Sequence, residues 1–170
     1  PEANHVKLNV QGEYLGCYVN TESINKQFLT KHFDENDGTL FKCDPSGQFG
    51  VSTSTLTPTL EWLGSDTTLY IEGYDLKTEA GWQDLANFID ILNNDPENVH
   101  TVLNVDRVLW YLAVNMILPN TDTYNLLVFH NYYLYKTEDG KFQIIPWDLS
   151  ESFIGICLLY TSDAADEHSW

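Results

Sequence analysis

The sequence predicts an α+β fold, and three features carry that expectation. A period-two segment with a Gly turn opens the chain, two segments of helical period occupy its middle, and a second strand pair closes it. With 170 residues the chain is one domain or a large piece of one. At that length it can bury roughly 70% of the surface its unfolded form exposes.

The elements follow in order. Val6-Lys-Leu-Asn-Val10 alternates apolar and polar residues, Gln11-Gly12 supplies a turn, and Tyr14-Leu-Gly-Cys-Tyr-Val19 resumes, which predicts a hairpin. Thr21-Glu-Ser-Ile-Asn25 resembles a helix cap, with Ile24, Phe28 and Leu29 sharing one face of the helix that follows. Asp34-Glu-Asn-Asp-Gly38 is an acidic turn. It lacks the register and the closing Glu of a calcium loop. Thr39–Cys43 predicts a short strand, and the Ser-, Thr-, Gly- and Pro-rich stretch from Asp44 to Pro58 predicts loop or edge hairpin. Leu69-Tyr-Ile-Glu72 and Tyr74-Asp-Leu-Lys77 are expected to be extended. Trp82, Leu85, Phe88, Ile89 and Leu92 mark an amphipathic helix that stops at Asn93-Asn-Asp-Pro96. The next helix, capped by Asn104 or Asp106, is the most apolar. Its expected buried stripe is Val105, Val108, Leu109, Leu112, Ala113 and Met116, and it ends at Leu118-Pro119. His130–Tyr135 and Phe142–Ile145 flank Glu138-Asp-Gly140, a hairpin with a strong turn signal, and Pro146-Trp147-Asp148 follows directly.

Hydrophobic residues make up 43% of the chain and charged ones 19%, a globular composition. The charge is lopsided, with 25 acidic side chains against 8 basic ones and a formal net charge of −17. Such a surface repels phosphate backbones and anionic lipid, so nucleic-acid and membrane-surface partners are disfavoured. No apolar run reaches the ~20 residues of a membrane span. Cations and basic peptides remain compatible with the charge.

Both ends are expected to be truncations. Pro1 is neither an initiator Met nor the start of a leader. Cys157-Leu-Leu-Tyr-Thr-Ser-Asp-Ala-Ala-Asp-Glu167 resembles the translation of a sequencing adapter, which divides the chain into residues 1–156 and a non-native tail, 157–170. Removing the tail's acids leaves the acidic excess in place. It also leaves Cys17 and Cys43, which can bridge in an oxidising compartment or stay as small buried hydrophobes. Neither lies in a CxxC or beside a His cluster, so no zinc site is expected.

Chemistry concentrates late in the chain. A helix delivers Asp122 onto a loop, Asn131 opens the strand after that loop, and Asp148 ends the return strand. In a short hairpin Asn131 and Asp148 lie side by side, and an Asn carbonyl with a carboxylate suits Mg²⁺ or Mn²⁺. Asp122 is then free to orient a hydroxyl nucleophile or accept its proton. Helix, Asp, Asn, short hairpin and Asp follow one another as in a protein-kinase catalytic loop. Taken singly, each residue has an ordinary role in a cap or turn; the ordered set is what points to phosphoryl transfer.

Asn120-Thr-Asp-Thr-Tyr124, His130-Asn-Tyr-Tyr-Leu-Tyr135, Asp139-Gly-Lys-Phe142 and Ile145-Pro-Trp-Asp148 resemble the signature run of the CotH kinase family. These are atypical protein kinases of bacterial spore coats and of other secreted or surface proteins. Gln11-Gly-Glu-Tyr-Leu-Gly16 with Glu22, Asp37–Lys42, and Tyr74–Lys77 with Trp82 also fit, so the resemblance covers nearly all of residues 5–156. It implies a partial, atypical protein-kinase-like fold made of a hinge-side hairpin, helices and a catalytic-loop hairpin. Asp122 takes the catalytic-base role, Asn131 and Asp148 hold the metal, and the Tyr14–Glu22 stretch lines the adenine side of an ATP cleft, with Glu22 as the nucleotide-side residue. It further implies ATP with Mg²⁺ or Mn²⁺ as cofactors and Ser or Thr of a basic, Ser-rich protein as substrate. The location it implies is the spore coat, the cell surface or outside the cell.

Three departures stand out. Asp122 and Asn131 are nine residues apart, against about five in a conventional kinase loop. Ser150 stands where the family commonly has Asn or Asp. The ATP-anchoring Lys would precede Pro1, and neither Lys42 nor Lys77 is assigned that role. His130 is expected to orient or pack. The rival expectation is a surface adhesion or structural module that keeps the fold without turnover. A calcium-stabilised extracellular domain, the third, rests only on acidity and on Asp34–Gly38.

Overall fold

The structure, a computed structural model, describes residues 1–44, 57–124 and 129–153. The expected loop from Asp44 to Pro58 and the tail from 157 lie largely or wholly outside the described residues. The fold is α+β, as the sequence predicts.

β1 (Ala3–Val10) and β2 (Glu13–Thr21) form an antiparallel hairpin. Gln11 and Gly12, at φ 52° and 87°, make the left-handed pair that a two-residue hairpin turn requires. Helix α1 (Lys26–Phe33) follows. Its cap is Asn25, the last residue of the expected cap stretch, while Thr21 is still paired with Ala3 in the hairpin. The Asn25 side chain accepts from the N–H groups of Gln27 and Phe28 at 2.9 and 3.1 Å. Asp34, at φ 62°, ends the helix in the left-handed conformation. The acidic turn then works as a clamp, because the Glu35 carboxylate accepts from the Glu138 N–H at 3.0 Å, at the tip of the distant hairpin. Gly38 closes this region. A Cβ there would lie 1.9 Å from the Lys136 carbonyl oxygen, so no other residue fits.

β3 (Leu40–Cys43), β4 (Asp75–Leu76), β5 (Tyr132–Lys136) and β6 (Phe142–Pro146) form a second antiparallel sheet in the order β4-β3-β5-β6. Period-two alternation splits its side chains between two cores. Phe41, Cys43, Tyr132, Leu134, Phe142 and Ile144 face α2 (Trp82–Asn94) and α3 (Val105–Ile117). Leu40, Tyr133, Tyr135 and Ile145 pack with Phe28 and Leu29 of α1. Both faces being covered explains why β5 is apolar or aromatic at nearly every position.

Two expectations are corrected. Leu69–Glu72 is not extended: Thr67–Tyr70 forms a short 3₁₀ helix capped by Asp66, whose carboxylate accepts from the Thr68 N–H and hydroxyl. Helix α3 is capped by Asn104, but its inward face is Val108, Tyr111, Leu112 and Asn115. Leu109 and Met116 of the expected stripe are exposed, along with Trp110 at 66% and Ile117 at 76%. The helix is apolar nearly all round, so periodicity could not choose its face. The polar tips of Tyr111 and Asn115 choose it, by bonding inward. Of the two states open to the cysteines, the structure has both as free thiols, Cys17 exposed and Cys43 buried.

Candidate active site

Asn131 and Asp148 stand at the open end of the β5–β6 hairpin. Tyr132 pairs with Pro146, and one residue further out the Trp147 N–H donates to the Asn131 carbonyl at 3.1 Å. Both have left-handed backbone, Asn131 at φ 59° and Asp148 at φ 46°. Asn and Asp tolerate that conformation better than other residues with a Cβ, for which it costs about 1–2 kcal/mol. The strand ends therefore turn sharply at the two residues that carry the metal-type oxygens.

Asp122 is brought to the same end from the α3 side. The Asn131 side-chain amide donates to Asp122 Oδ2 at 2.9 Å and to the Asp122 carbonyl at 3.1 Å. Both neighbours are acceptors, so the amide nitrogen must face them and the Asn131 Oδ1 must face away. That oxygen is therefore turned away from the Asp122 carboxylate. His130 Nε2 lies 2.6 Å from the other carboxylate oxygen, Asp122 Oδ1. His130 is 7% exposed and the Asp122 side chain 20%. A hydrogen bond to a charged group in such surroundings contributes roughly 1.5–3 kcal/mol.

A buried polar chain fixes the loop from the α3 end. The Asn115 amide donates to the Tyr111 carbonyl at 2.9 Å, and the Asn120 amide donates to Asn115 Oδ1 at 2.9 Å. Asn120 Oδ1 then accepts from the Asp122 N–H at 3.3 Å. The Tyr111 and Thr123 hydroxyls are hydrogen-bonded to each other. Tyr111, Asn115 and Thr123 were not legible as site residues. The available signal was Asn115, a lone amide in an otherwise apolar helix.

Asp148 is exposed, and its Oδ1 accepts from the Ser150 N–H at 3.2 Å. Among the described residues no three His, Cys, Asp or Glu side chains gather into a metal cage, at Asp34–Gly38 or elsewhere. A cage is not what Mg²⁺ needs, since it is commonly held by one or two carboxylates together with substrate phosphates. Asn131 and Asp148, at the open end of one hairpin, carry the oxygen types that chemistry uses.

Glu22 stands apart from this cluster in its bonding. Its carboxylate holds the Glu2 N–H at 3.0 Å, His32 Nε2 at 3.0 Å and Lys31 Nζ at 3.1 Å. The Glu2 N–H, then His32 and Lys31, pull its pKa down to about 2. Glu22 thereby staples the base of the β1–β2 hairpin to α1.

The family model for CotH kinase protein matches residues 1–169. The chain belongs to the CotH family. The inner spore coat protein H of Bacillus subtilis (strain 168) is 27% identical over 157 residues, covering 87% of this chain. This CotH chain spans 40% of that relative's length. The family match runs past residue 156 into the tail, which lies outside the described residues.

Proposed function

We propose that this CotH chain carries the catalytic-loop half of an ATP- and divalent-metal-dependent protein kinase site, transferring phosphoryl groups to Ser or Thr of a protein. The observation that carries this is the Asp122–Asn131 pairing at the open end of the hairpin that Asp148 closes: one acid is held by an amide whose oxygen is turned away from it. In this reading Asn131 Oδ1 and Asp148 hold Mg²⁺ or Mn²⁺, which when bound neutralises charge on the phosphates. Asp122 orients the attacking hydroxyl and takes its proton. Glu22 contributes to the nucleotide side by anchoring the hairpin of β1 and β2. The acidic surface favours a basic, Ser-rich substrate. The name of the Bacillus subtilis relative supports placement in a spore coat.

The test is transfer of labelled phosphate from ATP to a basic Ser-rich peptide, comparing the protein with Asp122→Asn. The expected result is metal-dependent labelling that falls at least about 100-fold in the variant, the lower range for loss of a general base. A folded, nucleotide-binding protein whose labelling is equal in both forms contradicts the role given to Asp122.

A further inference from the structure

We propose that His130 is a positioning residue, one that sets the direction of the Asp122 carboxylate without touching substrate or metal. The inference rests on the phosphoryl-transfer reading of Asp122 and adds a residue to it.

His130 and Asn131 are consecutive, and consecutive side chains of an extended strand point to opposite faces. Here both reach one carboxylate, His130 at Oδ1 and Asn131 at Oδ2. The backbone makes this possible by leaving the extended region on either side of His130, with Phe129 at φ 47° and Asn131 at φ 59°. Left-handed backbone at a phenylalanine is uncommon and persists where surrounding structure over-determines it. What it secures here is a two-point hold on Asp122.

The two holds differ in kind. Asn131 is shared, because its amide nitrogen serves Asp122 while its Oδ1, turned away from Asp122, is the oxygen the proposed metal site uses. The His130 contact is the one the proposed metal site does not share. An ionised carboxylate only accepts, so Nε2 must carry the proton in this bond. The ring is buried at 7% exposure, where phenylalanine would fill a similar volume but leave Oδ1 unheld. Removing the imidazole lets the carboxylate swing about its last torsion while Asn131 and Asp148 stay in place. The rate of transfer should fall and nucleotide affinity should not.

Three variants and one spectroscopic signature decide it. With His130→Phe the expected result is a kcat about 100-fold lower, the scale of a small misplacement of a reacting group. The KM for ATP should be unchanged. His130→Gln, whose amide can donate from a similar position, should recover part of the rate. Nitrogen-15 NMR of the labelled histidines should show a His130 Nε2-bound proton that disappears in Asp122→Ala. A missing Nε2 proton, or a folded His130→Phe variant with full kcat, overturns the proposal. The proton signal in a protein without turnover contradicts the kinase reading and leaves the hold on Asp122 standing.

Discussion

At the scale of single residues, Asn131 does two jobs that can be separated. Its side chain bonds Asp122 twice, and its backbone sits at φ 59°. Asn131→Ala loses both the bonds and the tolerance of left-handed backbone, whereas Asn131→Gly loses only the bonds. Urea unfolding should therefore show Asn131→Ala less stable than Asn131→Gly by about 1 kcal/mol. Equal stabilities would mean that the strand end relaxes out of the left-handed conformation without cost. Asp122, Asn131 and Asp148 were legible in the sequence because their order along the chain and their places around a turn signal are linear facts. The contact of His130 with Asp122 was not, because it depends on positive φ at Phe129 and Asn131, which no local pattern announces. The same holds for Asn115 and Asn120, whose bond forms only once the chain has turned after α3.

At the scale of elements, the hairpins were the clearest features. Gln11-Gly12 and Glu138-Asp-Gly140 both turn where their residue types dictate, with Gly140 at φ 82°. Helix α2 ends within two residues of its predicted stop because Asp95-Pro96 cannot continue it. The face of α3 was misjudged because contacts beyond the helix decide it. It was settled by a hydrogen bond from the chain after the helix, the Asn120 amide donating to Asn115 Oδ1. The junction of the β1–β2 hairpin with α1 depends on the charge of Glu22. Its folded pKa of about 2 lies below its ordinary 4.5, so its contribution is complete above about pH 4.5 and lost as pH falls toward 2. Glu22→Gln should lower thermal stability at pH 7 and flatten the loss of stability between pH 4.5 and 2. An unchanged acid profile would show that the staple carries no net stability.

At the scale of the whole molecule, composition and alternation sufficed for the α+β class. The division of the core was less accessible, since a sheet covered on both faces has no polar side to mark its orientation. Among the described residues no helix is long and apolar enough to cross a membrane. The exposed face of α3, with Leu109, Trp110, Met116 and Ile117, is the largest departure from the buried helix that the sequence predicted. The central claim is that the mouth of the β5–β6 hairpin holds a metal-bound nucleotide. Calorimetric titration of ATP, with and without Mg²⁺, into the protein and its Asp148→Ala variant tests it most directly. Binding that requires Mg²⁺ and weakens at least tenfold in the variant, a loss of about 1.4 kcal/mol, is the result the account predicts. Binding of equal strength in both proteins, or no binding by a folded protein with any metal, would contradict it.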